Sequence, residues 1–273
     1  MTTRVGALGG ARDLFGRVQR VFARERGNFT WVYLWSAPIR AMHWIAAACI
    51  LSLILTGFYI ARPYFATSGE ASAHFLMGRV RFVHFAAAAV LVMTGIVRAY
   101  WLMVGNQFER LPALFPVTGK NISNLVKTAG SYLTFRPDKQ PNFVGHNPMQ
   151  QWSYTAVYVM AVVTVVTGFT LYGQSAPGSV IFRAFSWLPP LLGGLQGIRV
   201  IHHLMTWAFI LFIEMHVYFA IRSDYVERAG VVSSIITGGR YISTDHSYED
   251  YDIAKVPSHP WPTGEYQTPA KGA

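Results

Sequence analysis

Residues 198–222 read Ile-Arg-Val-Ile-His-His-Leu-Met-Thr-Trp-Ala-Phe-Ile-Leu-Phe-Ile-Glu-Met-His-Val-Tyr-Phe-Ala-Ile-Arg. A helix needs about 20 apolar residues to cross the roughly 30 Å hydrocarbon layer of a bilayer. This stretch is long enough, yet it carries His202, His203 and His216. A charged side chain at that depth costs roughly 2.5–3.5 kcal/mol, so polar groups there need a purpose. His202 and His216 are fourteen residues apart. At about 100° per residue they lie within about 40° of one face, roughly 21 Å apart along the axis. His203 points about 140° away from His216. One helix therefore aims two imidazoles in one direction at two depths, which suits two stacked metal centres, one near each membrane surface.

Three further stretches have the same character. The first, Ala41 to Ala61, holds His43, has the aromatic belt Trp31, Tyr33, Trp35 and Trp44 at its start, and stops at Arg62-Pro63. The second, Phe82 to Val104, carries His84 near its start and Arg98 near its end. The third, Trp152 to Tyr172, contains no Asp, Glu, Lys, Arg or His. Four spans predict an all-α integral membrane protein: a four-transmembrane-helix bundle with both termini on one side. Basic residues in the N-terminus, in the 105–150 loop and after residue 222 assign that side to the cytoplasm, although Arg62, Arg79 and Arg81 oppose the trend.

The expected organisation is a basic cytoplasmic extension (1–30), a membrane domain (31–243) and a polar cytoplasmic tail (244–273). The extension fits either an amphipathic helix on an anionic membrane face or a disordered basic tail. Residues 176–197, apolar but rich in Pro and Gly, read as an interfacial or re-entrant segment on the outer face. No cleavable signal peptide is evident.

Composition narrows the chemistry. Of 273 residues, 52% are hydrophobic and 13% charged, against about 25% charged in soluble domains. The formal net charge of +10 is explained by topology before nucleic acid, for which no binding motif is present. The single cysteine, Cys49, excludes an internal disulfide, a thiolate iron–sulfur site and a covalent haem attachment. Any haem is held non-covalently, by histidines.

Depth pairs those histidines. His43 with His216 forms an inner couple, and His84 with His202 an outer one, so two bis-histidine b-type haems fit. Gly57 lies fourteen residues after His43 and Gly95 eleven after His84. Each then presents its backbone to the haem that its helix does not ligate, or simply packs against a neighbouring helix. Arg98 suits an inner haem propionate, a pair with Glu214, or snorkelling to the headgroups. His146, Asn147 and Gln150, before the third span on the inner side, suit a quinone pocket, with Asn147-Pro148 fitting a helix cap equally well. Without haem, the chain reads as a four-helix transporter or anchor whose histidines relay protons.

Several motifs resemble the b-type cytochrome subunit of membrane-bound nickel–iron hydrogenases. They are residues 33–44 (Tyr-Leu-Trp-Ser-Ala-Pro-Ile-Arg-Ala-Met-His-Trp), residues 94–101 (Thr-Gly-Ile-Val-Arg-Ala-Tyr-Trp), Gly145-His146-Asn147-Pro148, and residues 199–204 (Arg-Val-Ile-His-His-Leu) followed by His216-Val217-Tyr218. The likeness covers roughly residues 30–243. It implies a subunit in the bacterial inner membrane that anchors the iron–sulfur small subunit and nickel–iron large subunit of a periplasm-facing hydrogenase. It implies electron passage through two b haems to membrane quinone, with His43, His84, His202 and His216 as the haem ligands and no hydrogen splitting in this chain. Cytochrome b subunits of formate dehydrogenase or thiosulfate reductase, and stand-alone cytochromes of the b561 type, share this ligand plan.

Overall fold

A computed structural model describes residues 28–65, 74–115, 119–134, 142–227, 230–252 and 259–260. Four long helices dominate it: α1 (Ala37–Ala61), α2 (Leu76–Val104), α5 (Pro148–Gly173) and α8 (Gly194–Glu227). Each is long and apolar enough to cross a membrane. They coincide with the four expected spans but begin a few residues earlier. Ser36 and Pro38 start α1, and Arg62 ends it just before Pro63. Asn147 starts α5 with a capping box: its side chain accepts from the Gln150 N–H while the Gln150 side chain accepts from the Asn147 N–H, both at 2.9 Å. Pro148 follows at the first helical position, where a missing N–H costs nothing.

The helices pack in two pairs, α1 along α2 and α5 along α8. Between the pairs lies a continuous cavity of about 3660 Å³ lined by all four. Hence few bundle residues are buried: α2 has none, and α1 only Met42 and Cys49. One face of each helix is left for lipid and the other for whatever fills the cavity.

The α5–α8 connection carries two short helices, α6 (Val180–Phe185) and α7 (Leu188–Leu191). Gly173 brings α5 so close to Phe182 that an added Cβ would stand 3.0 Å from the Phe182 Cα. Gly193, at φ 76°, turns the chain into α8. Two further helices, α3 (Leu111–Leu114) and α4 (Gly119–Leu133), follow α2, and α9 (Val231–Thr237) follows α8.

The all-α expectation is corrected at one end. Strand β1 (Asn28–Tyr33) pairs antiparallel with β2 (Gly239–Ser243) and with β3 (His259–Pro260), giving the order β2-β1-β3. The aromatic and β-branched run Phe-Thr-Trp-Val-Tyr, read from sequence as an interfacial belt, is equally a strand once a partner is supplied from 200 residues away. The sheet joins a buried apolar cluster: Val32, Leu34, Phe108, Val144 and Ile242, covered by Trp35, Tyr248 and Tyr251. Residues 244–252 thus fold back onto the bundle. Of the expected basic extension (1–30), residues 1–27 lie outside the described residues and 28–30 belong to β1, a correction to its boundary; most of the segment beyond 252 is also outside them.

Two carboxylates anchor this core, buried Glu109 to the helices and the more exposed Asp250 to the loop before α5. Glu109, 1% exposed, accepts from Ser36 N at 2.6 Å, Trp101 Nε1 at 2.8 Å and Asn106 N at 3.2 Å. It links the first turn of α1 to the end of α2. Asp250 accepts from Val144 N at 2.7 Å and Gly145 N at 2.8 Å. Burial pushes the Asp250 carboxyl up while those two N–H donors pull it down.

Candidate functional site

The cavity has two ends. One lies beneath the sheet, where α1 and α5 begin and α2 and α8 finish; the other, the far end, lies at the α1–α2 and α5–α8 connections. His43, in the second turn of α1, and His216, late in α8, sit at the sheet end. His84, early in α2, and His202, early in α8, sit at the far end. All four line the cavity.

At the sheet end the His43 and His216 ring centres are 6.3 Å apart with planes at 52°. An imidazole nitrogen stands about 2 Å from a bound first-row metal, with its ring centre about 1 Å behind, so two rings gripping one ion from opposite sides have centres about 6 Å apart. The observed separation matches that arrangement. His43 has its Nδ1 buried without a hydrogen-bond partner. Phe212 stacks on His216 at 5.6 Å and 14°, fixing the ring plane.

At the far end His84 and His202 both line the cavity. Each has its Nδ1 against a threonine of the neighbouring helix: His84 with Thr56 Oγ1 at 2.8 Å, His202 with Thr167 Oγ1 at 3.0 Å. Beside each threonine is a glycine. A Cβ on Gly57 would meet His84 Cε1 at 3.5 Å, and one on Gly168 would meet His202 Cε1 at 3.3 Å. Gly57 therefore makes room for the edge of a histidine. Gly95 has no atom within 4 Å of its added Cβ and faces the cavity.

Thr56, Thr167 and Gly168 escaped the sequence reading, although a signal was present. Thr-Gly-Phe occurs twice, at 56–58 on α1 and 167–169 on α5. The following long helix then supplies Arg-x-x-His both times, at 81–84 and 199–202. The two helix pairs carry the same pattern, and Arg81 and Arg199 line the cavity one turn before their histidines.

The remaining polar candidates gather at the sheet end. His146 lies between Trp35, at 4.9 Å between ring centres, and Tyr154, whose hydroxyl is 3.0 Å from His146 Nε2. Burial, with Arg98 and Arg240 nearby, pushes the His146 pKa down to about 3, so the ring is neutral at ordinary pH. Asn147 and Gln150 commit their side-chain oxygens to the capping box, and both line the cavity with His146. Arg98 donates through both terminal nitrogens to the Glu109 carbonyl, each at 3.3 Å, and lines the cavity. Glu214, the alternative partner, is exposed. His203 packs edge-on against Phe58 at 5.5 Å and also lines the cavity. His74 and His246 are exposed.

Among the described residues, no three His, Cys, Asp or Glu side chains converge as a bare metal ion would require. A two-histidine site is completed only by a group that brings its own donors, as a porphyrin does. The spacing of His43 and His216, the cavity and the glycine-lined far end all fit haem.

Comparison with known proteins agrees in kind. A protein of Cupriavidus necator, named a probable Ni/Fe-hydrogenase B-type cytochrome subunit, is 38% identical over 210 residues, covering 76% of this chain and 86% of its own. One of Rhizobium leguminosarum bv. viciae with the same name is 38% identical over 212 residues, covering 77% and 88%. The Escherichia coli K12 protein named a probable Ni/Fe-hydrogenase 1 B-type cytochrome subunit is 32% identical over 214 residues, covering 76% and 90%. The profile described as prokaryotic cytochrome b561 matches residues 34–238. That match spans all four long helices and both histidine couples, and the chain belongs to the prokaryotic cytochrome b561 family.

Proposed function

We propose that this chain is the membrane anchor and electron-transfer subunit of a nickel–iron hydrogenase complex. It carries electrons from a periplasm-facing hydrogenase, through two b haems, to membrane quinone. The observation that carries this reading is the presence of two histidine couples at opposite ends of one cavity, the first with ring centres 6.3 Å apart. The names of the relatives favour a Ni/Fe hydrogenase as the partner, and its iron–sulfur small and nickel–iron large subunits are the proposed contacts.

Each haem, when bound, supplies a one-electron site between its two imidazoles. His43 and His216 would hold one, His84 and His202 the other. Gly95 leaves open cavity beside the first, and Gly57 and Gly168 admit the ligand rings of the second. Arg98, fixed on the Glu109 carbonyl, offers its remaining N–H donors to a propionate. Most of the cavity wall along that path is aliphatic and aromatic.

In this account the sheet end faces the cytoplasm, as the basic loops predict, in a bacterial inner membrane. Quinone is received there. The amide nitrogens of Asn147 and Gln150 are not used by the capping box and are free to donate to a quinone carbonyl. His146 Nδ1 is likewise buried without a partner. Splitting of dihydrogen belongs to the soluble subunits.

The full-length tagged chain, purified from its membranes, tests this. The expected result is b-type bands in the reduced-minus-oxidised spectrum, co-purification of the hydrogenase subunits, and reduction of the bands by dihydrogen. Absence of b-type bands overturns the haem account. Bands that ignore dihydrogen but respond to formate or a sulfur substrate assign the chain to a different quinone-linked complex.

A further inference from the structure

We infer that Thr56 and Thr167 are positioning residues for the far-end haem, each fixing its histidine as the Nδ1–H tautomer and strengthening Nε2 as an iron ligand. This rests on the proposed ligand roles of His84 and His202. A threonine hydroxyl has one proton and two acceptor lone pairs. Thr56 directs its proton at Ser52 O, 2.6 Å away, and Thr167 at Val163 O, 2.7 Å away. Carbonyl oxygens donate nothing, so both protons are committed to the helix backbone. What faces each histidine is therefore a lone pair, and at 2.8 Å and 3.0 Å the imidazole nitrogen must be the donor.

A neutral imidazole with its proton on Nδ1 has its lone pair on Nε2. Donation from Nδ1 raises the basicity of Nε2, and a more basic ligand favours the more highly charged ferric iron. The glycine beside each threonine admits the Cε1 edge of the ring, so the hydrogen bond forms without displacing the helix. Both far-end ligands share this device across the two helix pairs. The protein also contains its own control. Thr94-Gly95 on α2 repeats the dipeptide, and Thr94 bonds Val90 O at 2.8 Å, but no histidine lies beside Gly95.

The test is an anaerobic redox titration of the full-length chain in detergent, with haem retention measured on the same samples. Thr56→Val and Thr167→Val keep the shape and remove the hydroxyl. They should loosen the far-end haem by about 10–100-fold, the usual effect of losing such a partner. They should also raise its midpoint potential, by about 59 mV for each tenfold loss of ferric over ferrous affinity. Thr56→Ser and Thr167→Ser should restore both values, and Thr94→Val should change neither. The sheet-end haem, unchanged throughout, reports that the variants fold. Valine variants with wild-type retention and potential, or serine variants that behave like valine, overturn the inference. Retention of the far-end haem in both His84→Ala and His202→Ala overturns the ligand assignment instead.

Discussion

At the far end of the bundle the two helix pairs present the same residues in the same order: Thr-Gly-Phe, then Arg-x-x-His. At the sheet end they part. Thirteen residues before Thr56 is His43, whereas thirteen before Thr167 is Tyr154. Fourteen after His84 is Arg98, whereas fourteen after His202 is His216. One edge of the sheet end therefore holds two histidines with ring centres 6.3 Å apart. The corresponding edge holds Arg98, bonded to the Glu109 carbonyl, and Tyr154, bonded to His146. A symmetric far end suits a relay that only passes electrons. An end with imidazoles on one side and hydroxyl, guanidinium and amide groups on the other suits the place where electrons meet a proton-accepting quinone. The difference also shows in support, since the far-end histidines each rest on a threonine while His43 Nδ1 has no partner.

The largest effect on this contrast, short of removing a ligand, is expected from Glu109→Ala. It strands the part-buried donors Ser36 N, Trp101 Nε1 and Asn106 N, each at a cost below the about 1–3 kcal/mol of a fully buried unpaired donor. Thermal unfolding in detergent should drop by several degrees or more, with the sheet-end haem lost before the far-end one. Loss of both haems together would mean that the two ends are not separable. Gly168→Ala comes next. Its Cβ would stand 3.3 Å from His202 Cε1, so the far-end haem should shift spectrally and bind several-fold more weakly, while Gly57→Ala, at 3.5 Å, does less. Equal effects on both haem bands would contradict the placement of this glycine.

The smallest expected effect is one of pH. Folded His146 resists protonation down to about 3, whereas the unfolded ring titrates near 6.5. Between those values the unfolded state binds a proton that the folded state refuses, so stability falls as pH drops below about 6.5. His146→Gln should flatten the slope of unfolding temperature against pH between about 7 and 5. An unchanged slope would mean that other groups control acid sensitivity at the sheet end.

Much of this was legible in the sequence for identifiable reasons. Span positions followed from apolar run length, and the couples from depth and helical period, because both are local properties of single helices. The sheet was not legible, since β1 finds its partners about 200 residues away and its aromatic run looks the same at a membrane surface. Glu109 and Asp250 were missed for the same reason: their donors come from loops and helix ends brought together only by folding. Thr56 and Thr167 were hidden in plain apolar helices, where threonine ordinarily bonds its own backbone. Only their recurrence before glycine marked them. For Asn147 and Gln150 the structure supplies the cap, while their amide nitrogens keep the proposed quinone contact open.

The central claim is that four histidines hold two haems at two separate ends. Haem content per chain, measured on purified full-length protein and on His84→Ala and His216→Ala, tests it most directly. The account predicts two haems in the wild type and one in each variant, with different bands surviving in the two. A wild-type content other than two, or the same band surviving in both variants, contradicts it.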